Sequence, residues 1–258
     1  MAEVPRGDGS LGLTPSPNPL PRGEGIGFPM LRVEGVGKTF VLHLQGGVVI
    51  PVLDGVGFEV LAGRCLALVG ASGAGTSTLM RSLCGNYRVD RGRVLVRHEG
   101  TMVDLAGADP RVVLEVRRRT LGYVSQFLRV VPRVAALEIV AEAAILRGVA
   151  AEVARAEASR LLLRLNIPVR LHGLPPATFS GGEQQRVNLA RGFVAGHPVL
   201  LLDEPTASLD PANAAVVVEM ILEAKARGAA IVGIFHDPAV RAAVAEASLN
   251  VVPMQEAA

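Results

Sequence analysis

A glycine-rich segment at residues 70–78 has the residue types needed to hold a phosphate group. It reads GASGAGTST and fits the pattern G-x-x-x-x-G-K-[ST], except that Thr76 stands where the pattern has lysine. Glycines let successive backbone N–H groups point at an anion, and a helix beginning there adds the positive end of its dipole. The alternative is an ordinary glycine turn between a strand and a helix. The predicted nucleotide-binding residues of the loop are Gly70, Ala71, Ser72, Gly73, Ala74, Gly75, Thr76, Ser77 and Thr78.

A carboxylate pair follows a later apolar run, in VLLLDEP. Asp203 and Glu204 stand at the predicted end of a buried strand, where one carboxylate can hold Mg²⁺ and the next can polarise an attacking water. The hydroxyl of Ser77 is a second predicted Mg²⁺ ligand. A solvated turn is the alternative for a lone Asp-Glu pair. We predict Asp203 as a metal ligand and Glu204 as a catalytic residue.

The segment FSGGEQQ, residues 179–185, precedes this pair and provides a second glycine-rich helix start. It resembles the LSGGQ signature of ATP-binding-cassette (ABC) proteins, with Phe for Leu and Glu183 for Gln. Together with SLD at residues 208–210, this motif distinguishes ABC proteins from other phosphate-loop NTPases. The nucleotide-binding residues that the resemblance implies here are Ser180, Gly181, Gly182, Glu183 and Asp210.

Three single residues complete the resemblance to an ABC site. Gln126 in YVSQFL resembles the glutamine that links the metal and water site to a helical subdomain, and we predict it as a catalytic and metal-site residue. His236 in GIFHD resembles the histidine that contacts the γ-phosphate. Phe40 in GKTFVL resembles the aromatic residue that stacks on adenine. Each type alone is common on surfaces or in cores, so it is their order among the other motifs that gives them weight.

Apolar patterns predict the elements that position these motifs. LRVEGVGKTFVL, VLDGVGFEV and RCLALVG predict strands, and STLMRSLCG predicts the helix after the glycine loop. Residues 134–165 have helical spacing with a break at Gly148, and HPVLLLDEP and AAIVGIFHD predict buried parallel strands. We therefore expect an α/β fold of the ABC type. It comprises a RecA-like core around a mainly parallel sheet, an antiparallel β part at residues 31–69, and a helical subdomain near residues 127–180.

Composition limits the other possibilities. The 258 residues carry a formal charge of +2, which gives no basic field for nucleic-acid binding. No segment is long and apolar enough to span a membrane, so we expect no membrane insertion and a cytoplasmic location. Residues 1–29 are dense in Pro and Gly and are expected to be disordered, with the ABC domain at residues 30–258. An alternative is that translation begins at Met30.

Within the ABC proteins, the sequence most resembles the phosphonate C-P lyase ATP-binding proteins of the PhnL type. The resemblance rests on TFVLHLQGG, LEVRRRTLGYVSQFLRVVPRVAAL, PPATFSGGEQQRVNLARGF and EAKARGAAIVGIFHD. Lipoprotein-releasing and macrolide-export ATPases share the general motifs but not SQFLRVVPR or GIFHD. The resemblance implies ATP and Mg²⁺ as ligands, and a role in joining methylphosphonate to the ribose of ATP. It also implies a C-P lyase core complex as partner. The alternative is the ATPase subunit of a membrane transporter.

Because Thr76 replaces the lysine of the pattern, nucleotide binding and ATP hydrolysis have to be predicted separately. The missing lysine would reach the β- and γ-phosphates with a positive charge, and threonine has neither that reach nor that charge. Arg81 lies further along the predicted helix and is not an obvious substitute. The chain is either a working ATPase in which other groups compensate or a module that binds nucleotide without turning it over. In a homodimer both sites lack the lysine, whereas in a heterodimer FSGGEQQ could complete a partner's site. A laboratory substitution or sequencing error is a third explanation.

Overall fold

A computed structural model describes residues 27–128 and 132–253 of the chain. The strands of these residues are β1 (Pro29–Leu42), β2 (Val48–Leu61), β3 (Cys65–Val69), β4 (Arg91–His98), β5 (Thr101–Asp104), β6 (Leu121–Val124), β7 (Val199–Asp203), β8 (Ala230–Ile234) and β9 (Ala247–Asn250). Their α-helices are α1 (Thr76–Leu83), α2 (Pro110–Arg119), α3 (Ala136–Ile145), α4 (Ala151–Arg164), α5 (Val169–His172), α6 (Gly181–Val194), α7 (Pro211–Ala226) and α8 (Pro238–Val244).

A five-stranded parallel sheet forms the centre of the fold, in the order β6-β7-β8-β3-β9. Strands β7 and β8 are buried at every residue, as expected when helices cover both faces of a parallel sheet. Four predicted site segments follow β6, β7, β8 and β3 directly. Because the carboxyl ends of parallel strands lie at one edge of the sheet, the fold brings these segments to the same edge.

A second sheet of four antiparallel strands has the order β2-β1-β4-β5. The expected antiparallel part at residues 31–69 was therefore wrong in two respects. Strand β3 belongs to the parallel sheet, where it pairs with β8 and β9, and the antiparallel sheet is extended by β4 and β5 instead. Four of the five β3 residues are buried, and such a strand fits the centre of a sheet covered on both faces better than the half-exposed sheet of β1 and β2.

Helices occupy the region between β6 and β7. The pattern over residues 134–165 correctly predicted two helices, α3 and α4, and Gly148 lies in the turn between them with a φ of 94°. Helices α3 and α4 contact α6, and the three share one apolar cluster that includes Val140, Leu162 and Leu189. The ABC fold class is thus confirmed as a parallel core with an antiparallel sheet and helices.

The ends of the chain lie mostly outside the described residues. The predicted disorder of residues 1–29 concerns a segment of which only residues 27–29 are described, and β1 begins at Pro29 rather than Leu31. Cys65 and Cys84 are buried and form no disulfide. In residues 27–128 and 132–253, we find no helix of the length and apolar character that a membrane span requires.

Candidate nucleotide-binding site

The glycine loop connects β3 to α1, and its shape depends on glycine at specific positions. Gly73 and Gly75 have φ values of 82° and 94°, in the left-handed region that side chains disfavour. A Cβ atom at Gly70 would lie 2.8 Å from the carbonyl oxygen of Val251. The loop therefore packs too closely for side chains at Gly70, and it turns directly into the first residue of α1.

Thr76 is the first residue of α1, and Ser77 follows it with an exposed side chain. The Cγ2 methyl group of Thr76 would lie 3.3 Å from a Cβ placed on Gly70, so this methyl group faces the start of the loop. Residues 70–78 contain no cationic side chain. Anion binding by this loop therefore depends on backbone N–H groups and the helix dipole.

Arg81 lies on the same helix, where its guanidinium is bound by Tyr87. Its Nη1 atom donates a hydrogen bond of 2.8 Å to the hydroxyl of Tyr87, and the hydrogen bond raises the pKa of the guanidinium. The same positive charge acts on Asp203, whose pKa it lowers, although burial of this carboxyl dominates and raises the pKa. The structure therefore places the guanidinium of Arg81 near Asp203 and Tyr87, beside the predicted site.

Asp203 and Glu204 end strand β7 in different environments. Asp203 is only 4% exposed, whereas the Glu204 side chain is 19% exposed. Glu204 has a φ of 51°, an uncommon backbone conformation for a residue that is not glycine. Backbone strain of this kind occurs often at functional sites, where the surrounding structure holds it in place.

The carboxylate of Glu204 is bound by two side chains from other strands. Nε2 of Gln126 donates a hydrogen bond of 3.0 Å to Oε2, and Nε2 of His236 lies 2.8 Å from Oε1. The three predicted catalytic residues therefore meet at one point, although they are 78 and 32 residues apart along the chain. The His236 side chain is 71% exposed and can turn toward a ligand.

The signature segment forms the start of α6. Ser180 caps the helix by accepting a hydrogen bond from the backbone N–H of Glu183. The carboxylate of Glu183 in turn accepts hydrogen bonds from the Ser180 hydroxyl (2.7 Å) and backbone N–H (2.8 Å), which lower its pKa. A Cβ on Gly182 would lie 3.2 Å from the carbonyl oxygen of Ser208, so the two predicted partner-facing motifs are neighbours.

Asp210 caps a helix, and Phe40 packs against another aromatic ring. Asp210 caps α7 through a 2.8 Å hydrogen bond from the backbone N–H of Asn213, and this bond lowers the pKa of its carboxyl. Phe40 is half-buried on β1, and its ring lies edge-on to Tyr87 with centroids 5.4 Å apart. Nζ of Lys38 lies 5.2 Å from the Phe40 centroid. Sequence reasoning missed the contact between Phe40 and Tyr87, since Tyr87 belongs to no motif.

The chemistry of the site suits a magnesium ion. Oδ1 of Asp203 is buried and has no hydrogen-bond partner among the described residues, so a carboxylate oxygen is free for a cation. Ser77 supplies a hydroxyl at the helix start. In residues 27–128 and 132–253, we find no group of three or more His, Cys, Asp or Glu side chains that could hold a metal alone. Mg²⁺ usually takes one or two protein carboxylates and completes its shell with phosphates and water.

Comparison with known proteins decides the family. The family model described as "ABC transporter" matches residues 53–207, which include the glycine loop, the signature segment and the carboxylate pair. The chain belongs to the ABC transporter family. A solved dimeric structure of the ATP-binding cassette MJ0796, bound to ADP and Pi, is similar with a TM-score of 0.78 and 25% identity. The similarity covers 86% of this chain and 94% of that cassette.

Curated ABC relatives carry two different names. The lipoprotein-releasing system ATP-binding protein LolD of Shewanella sp. (strain MR-4) is 37% identical over 81% of this chain and 87% of its own length. The macrolide export ATP-binding/permease protein MacB of Brucella melitensis is 37% identical over 81% of this chain, but this covers only 31% of MacB. These names support the ABC transporter family and leave the phosphonate role of the PhnL type as a proposal.

Proposed function

We propose that this chain is the ATP-binding subunit of an ABC-type assembly, in which two cassettes close around Mg²⁺-ATP. The observation that carries the proposal is the meeting of Gln126, Glu204 and His236 at one carboxylate. A buried structural ion pair would not need three polar residues from three strand ends at a partly exposed site. A site that positions an attacking water and contacts the terminal phosphate of ATP needs all three residues.

Each predicted residue then has a role. The backbone of residues 70–78 holds the phosphates, and Phe40 stacks on the adenine. Ser77 and Asp203 hold the magnesium ion, which supplies positive charge to the phosphates. Glu204 is the group that accepts a proton from the attacking water, and His236 is the group that turns from Glu204 to the terminal phosphate.

The signature residues act on the nucleotide of a second cassette. In this chain a Cβ on Gly182 would lie 3.2 Å from the carbonyl oxygen of Ser208, so the start of α6 adjoins the SLD segment. The similarity to a dimeric cassette supports a dimer in which Ser180, Gly181, Gly182 and Asp210 complete the partner's site. The effect of Thr76 on ATP hydrolysis depends on whether the partner is a second copy or another ABC subunit. Only a heterodimer can retain one site with a lysine.

The first candidate for a further partner is a membrane permease, with the cassette on the cytoplasmic side. The names of LolD and MacB favour it, since one belongs to a lipoprotein-releasing system and the other is an ATP-binding/permease protein. Exposed apolar side chains in the helical region also favour it. Phe127, directly after Gln126, is 72% exposed, and Leu146 on the far end of α3 is 53% exposed. Such residues can receive an apolar helix of a partner.

The second candidate partner is a C-P lyase complex, in which this subunit supports the joining of methylphosphonate to the ribose of ATP with loss of adenine. Its support is the resemblance of SQFLRVVPR and GIFHD to the PhnL type. Residues 129–131 of the first phrase lie outside the described residues. Ser125 and Gln126 of that phrase, and His236 of GIFHD, are at the Glu204 site or next to it.

Equilibrium dialysis with Mg²⁺-ATP and light scattering of the Glu204→Gln variant test the shared part of the proposal. We expect ATP to bind and to produce a dimer, because glutamine keeps the size and planar shape of the carboxylate while removing the base. Absence of ATP binding by both this variant and Thr76→Lys would refute an ATP-binding subunit. Co-expression with neighbouring genes then distinguishes the partners. Co-purification with a permease supports transport, and co-purification with lyase subunits supports phosphonate metabolism.

A further inference from the structure

The two oxygens of the Asp203 carboxylate are treated differently by the protein. Oδ2 accepts a hydrogen bond of 3.0 Å from the hydroxyl of Tyr123. Oδ1 is buried and has no hydrogen-bond partner among the described residues. A buried carboxylate oxygen without a partner is costly, so its retention calls for an explanation. Among the described residues, the hydrogen bond from Tyr123 is what makes the two carboxylate oxygens differ.

The sheet register explains why Tyr123 reaches this carboxylate. In the parallel pair of β6 and β7, Tyr123 lies opposite Leu201, and Asp203 is two residues further along on the same face. The side chain of Tyr123 packs against the apolar cluster that contains Leu201 and Leu79 of α1. The phenol therefore lies on the side of the sheet covered by α1, the helix that begins beside Ser77.

The direction of this hydrogen bond agrees with the placement. The phenol is the donor and the carboxylate the acceptor, because an ionised carboxylate has no proton to donate. A donor fixed on Oδ2 restricts rotation of the carboxylate. It also leaves Oδ1 as the oxygen that can face a cation.

We propose that Tyr123 is a positioning residue for magnesium, which holds Oδ2 of Asp203 so that Oδ1 stays free for Mg²⁺ or its bound water. This inference rests on the proposed ATP-binding function. No motif marks Tyr123, and its hydroxyl touches neither the glycine loop nor Glu204 in any described contact. Its effect should therefore appear only when magnesium takes part in binding.

The test compares nucleotide dissociation constants in excess Mg²⁺ and in EDTA, using a fluorescent ATP analogue. We expect magnesium to tighten binding by the parent chain. In Tyr123→Phe that gain should shrink by about two- to tenfold, the range for loss of one hydrogen bond, while affinity in EDTA stays the same. Thr101→Val is the control, because it also removes one hydroxyl donor, here on β5 of the antiparallel sheet, where it binds the carbonyl oxygen of His98. It should leave both affinities and their ratio unchanged.

Asp203→Asn completes a double-mutant cycle. It should remove most of the magnesium gain, and adding Tyr123→Phe to it should cause no further loss, because the two residues act through one carboxylate. Independent, additive losses would overturn the inference, as would an unchanged ratio in Tyr123→Phe.

Circular dichroism shows whether Tyr123→Phe still folds. Tyr123→Phe removes only a hydroxyl and should keep its helix signal, and a loss of fold would show that the hydroxyl supports folding instead of the metal, which overturns the inference. If neither the parent chain nor Thr76→Lys binds the analogue at all, the proposed function fails together with the inference. If the parent binds with a magnesium gain that Tyr123→Phe retains, only the inference fails.

Discussion

Nε2 of His236 lies 2.8 Å from Oε1 of Glu204, across two neighbouring parallel strands. The second oxygen of the same carboxylate is bound by Gln126 at 3.0 Å. Two side chains thus bind the carboxylate of the proposed base. Catalysis then requires His236 to leave Glu204, which its 71% exposed side chain permits.

Glu204→Gln is expected to lower ATP turnover by about 10²–10⁴-fold, the usual contribution of a general base. His236→Ala should lower turnover as well, while ATP affinity changes little, because the histidine acts mainly on the terminal phosphate. Phosphate release at saturating ATP measures both, in the parent chain and with Thr76→Lys. His43→Ala is the control, since His43 is exposed in the turn between β1 and β2. Equal turnover in Glu204→Gln and the parent would remove Glu204 from the chemistry.

Thr76→Lys is expected to tighten Mg²⁺-ATP binding by at least about tenfold, since a charge-assisted hydrogen bond contributes on the order of 1.5–3 kcal/mol. Turnover should rise further, because the lysine also offsets charge that develops during phosphoryl transfer. Affinity by dialysis and turnover by phosphate release give the two effects separately.

Thr76→Met is the matched control, because it extends the side chain without adding charge. It should leave affinity near that of the parent. If the parent and Thr76→Lys turn over ATP equally fast, Thr76 does not impair hydrolysis, and the compensating groups lie elsewhere in the assembly.

Glu183→Gln is expected to strengthen ATP-induced dimerisation. The Glu183 carboxylate accepts two hydrogen bonds from Ser180, so it holds the hydroxyl of the signature serine and places a negative charge at the helix start. Glutamine keeps the cap and removes the charge, which should repel a phosphate less. A change of about two- to fivefold follows from typical charge effects of 0.3–1 kcal/mol at helix ends.

Sedimentation of the Glu204→Gln chain with and without Glu183→Gln measures this effect, which should decrease at high salt. Glu157→Gln is a suitable control, since Glu157 is an exposed carboxylate paired with Arg160 on α4. A dimerisation constant that is the same for Glu183→Gln and Glu157→Gln would show that the Glu183 charge does not act on the nucleotide.

The motifs were readable from sequence because each follows a strand or begins a helix, and these positions are fixed by local pattern. Ser180 and Glu183 also fit the S-x-x-E capping box, a signal that could have predicted their hydrogen bonds. Tyr123 was not predictable, because a tyrosine in a strand gives no sign of what its hydroxyl reaches. The sheet membership of β3 and β4 was missed for a related reason. Strand pairing depends on contacts distant in sequence, which local patterns do not specify.

We predict that His197, which lies between α6 and β7, makes the folded chain less stable in mild acid. The residue is buried, and in the described part of the chain its Nδ1 atom has no hydrogen-bond partner. A Cβ on Gly122 would lie 2.8 Å from that atom, so the ring is enclosed. Burial, followed by the charge of Arg147, lowers the pKa of His197 to about 4.

In the unfolded chain a histidine has a pKa of about 6.5. Between pH 6.5 and 4 the unfolded state therefore binds more protons than the folded state, so folding stability is fully present above pH 6.5 and falls as the pH drops. This residue contributes a slope of up to about 1.4 kcal/mol per pH unit in that window. Urea unfolding from pH 7 to pH 4.5 should show a shallower decline for His197→Gln than for His43→Gln. Equal declines would mean that His197 is already protonated, or solvated, in the folded chain.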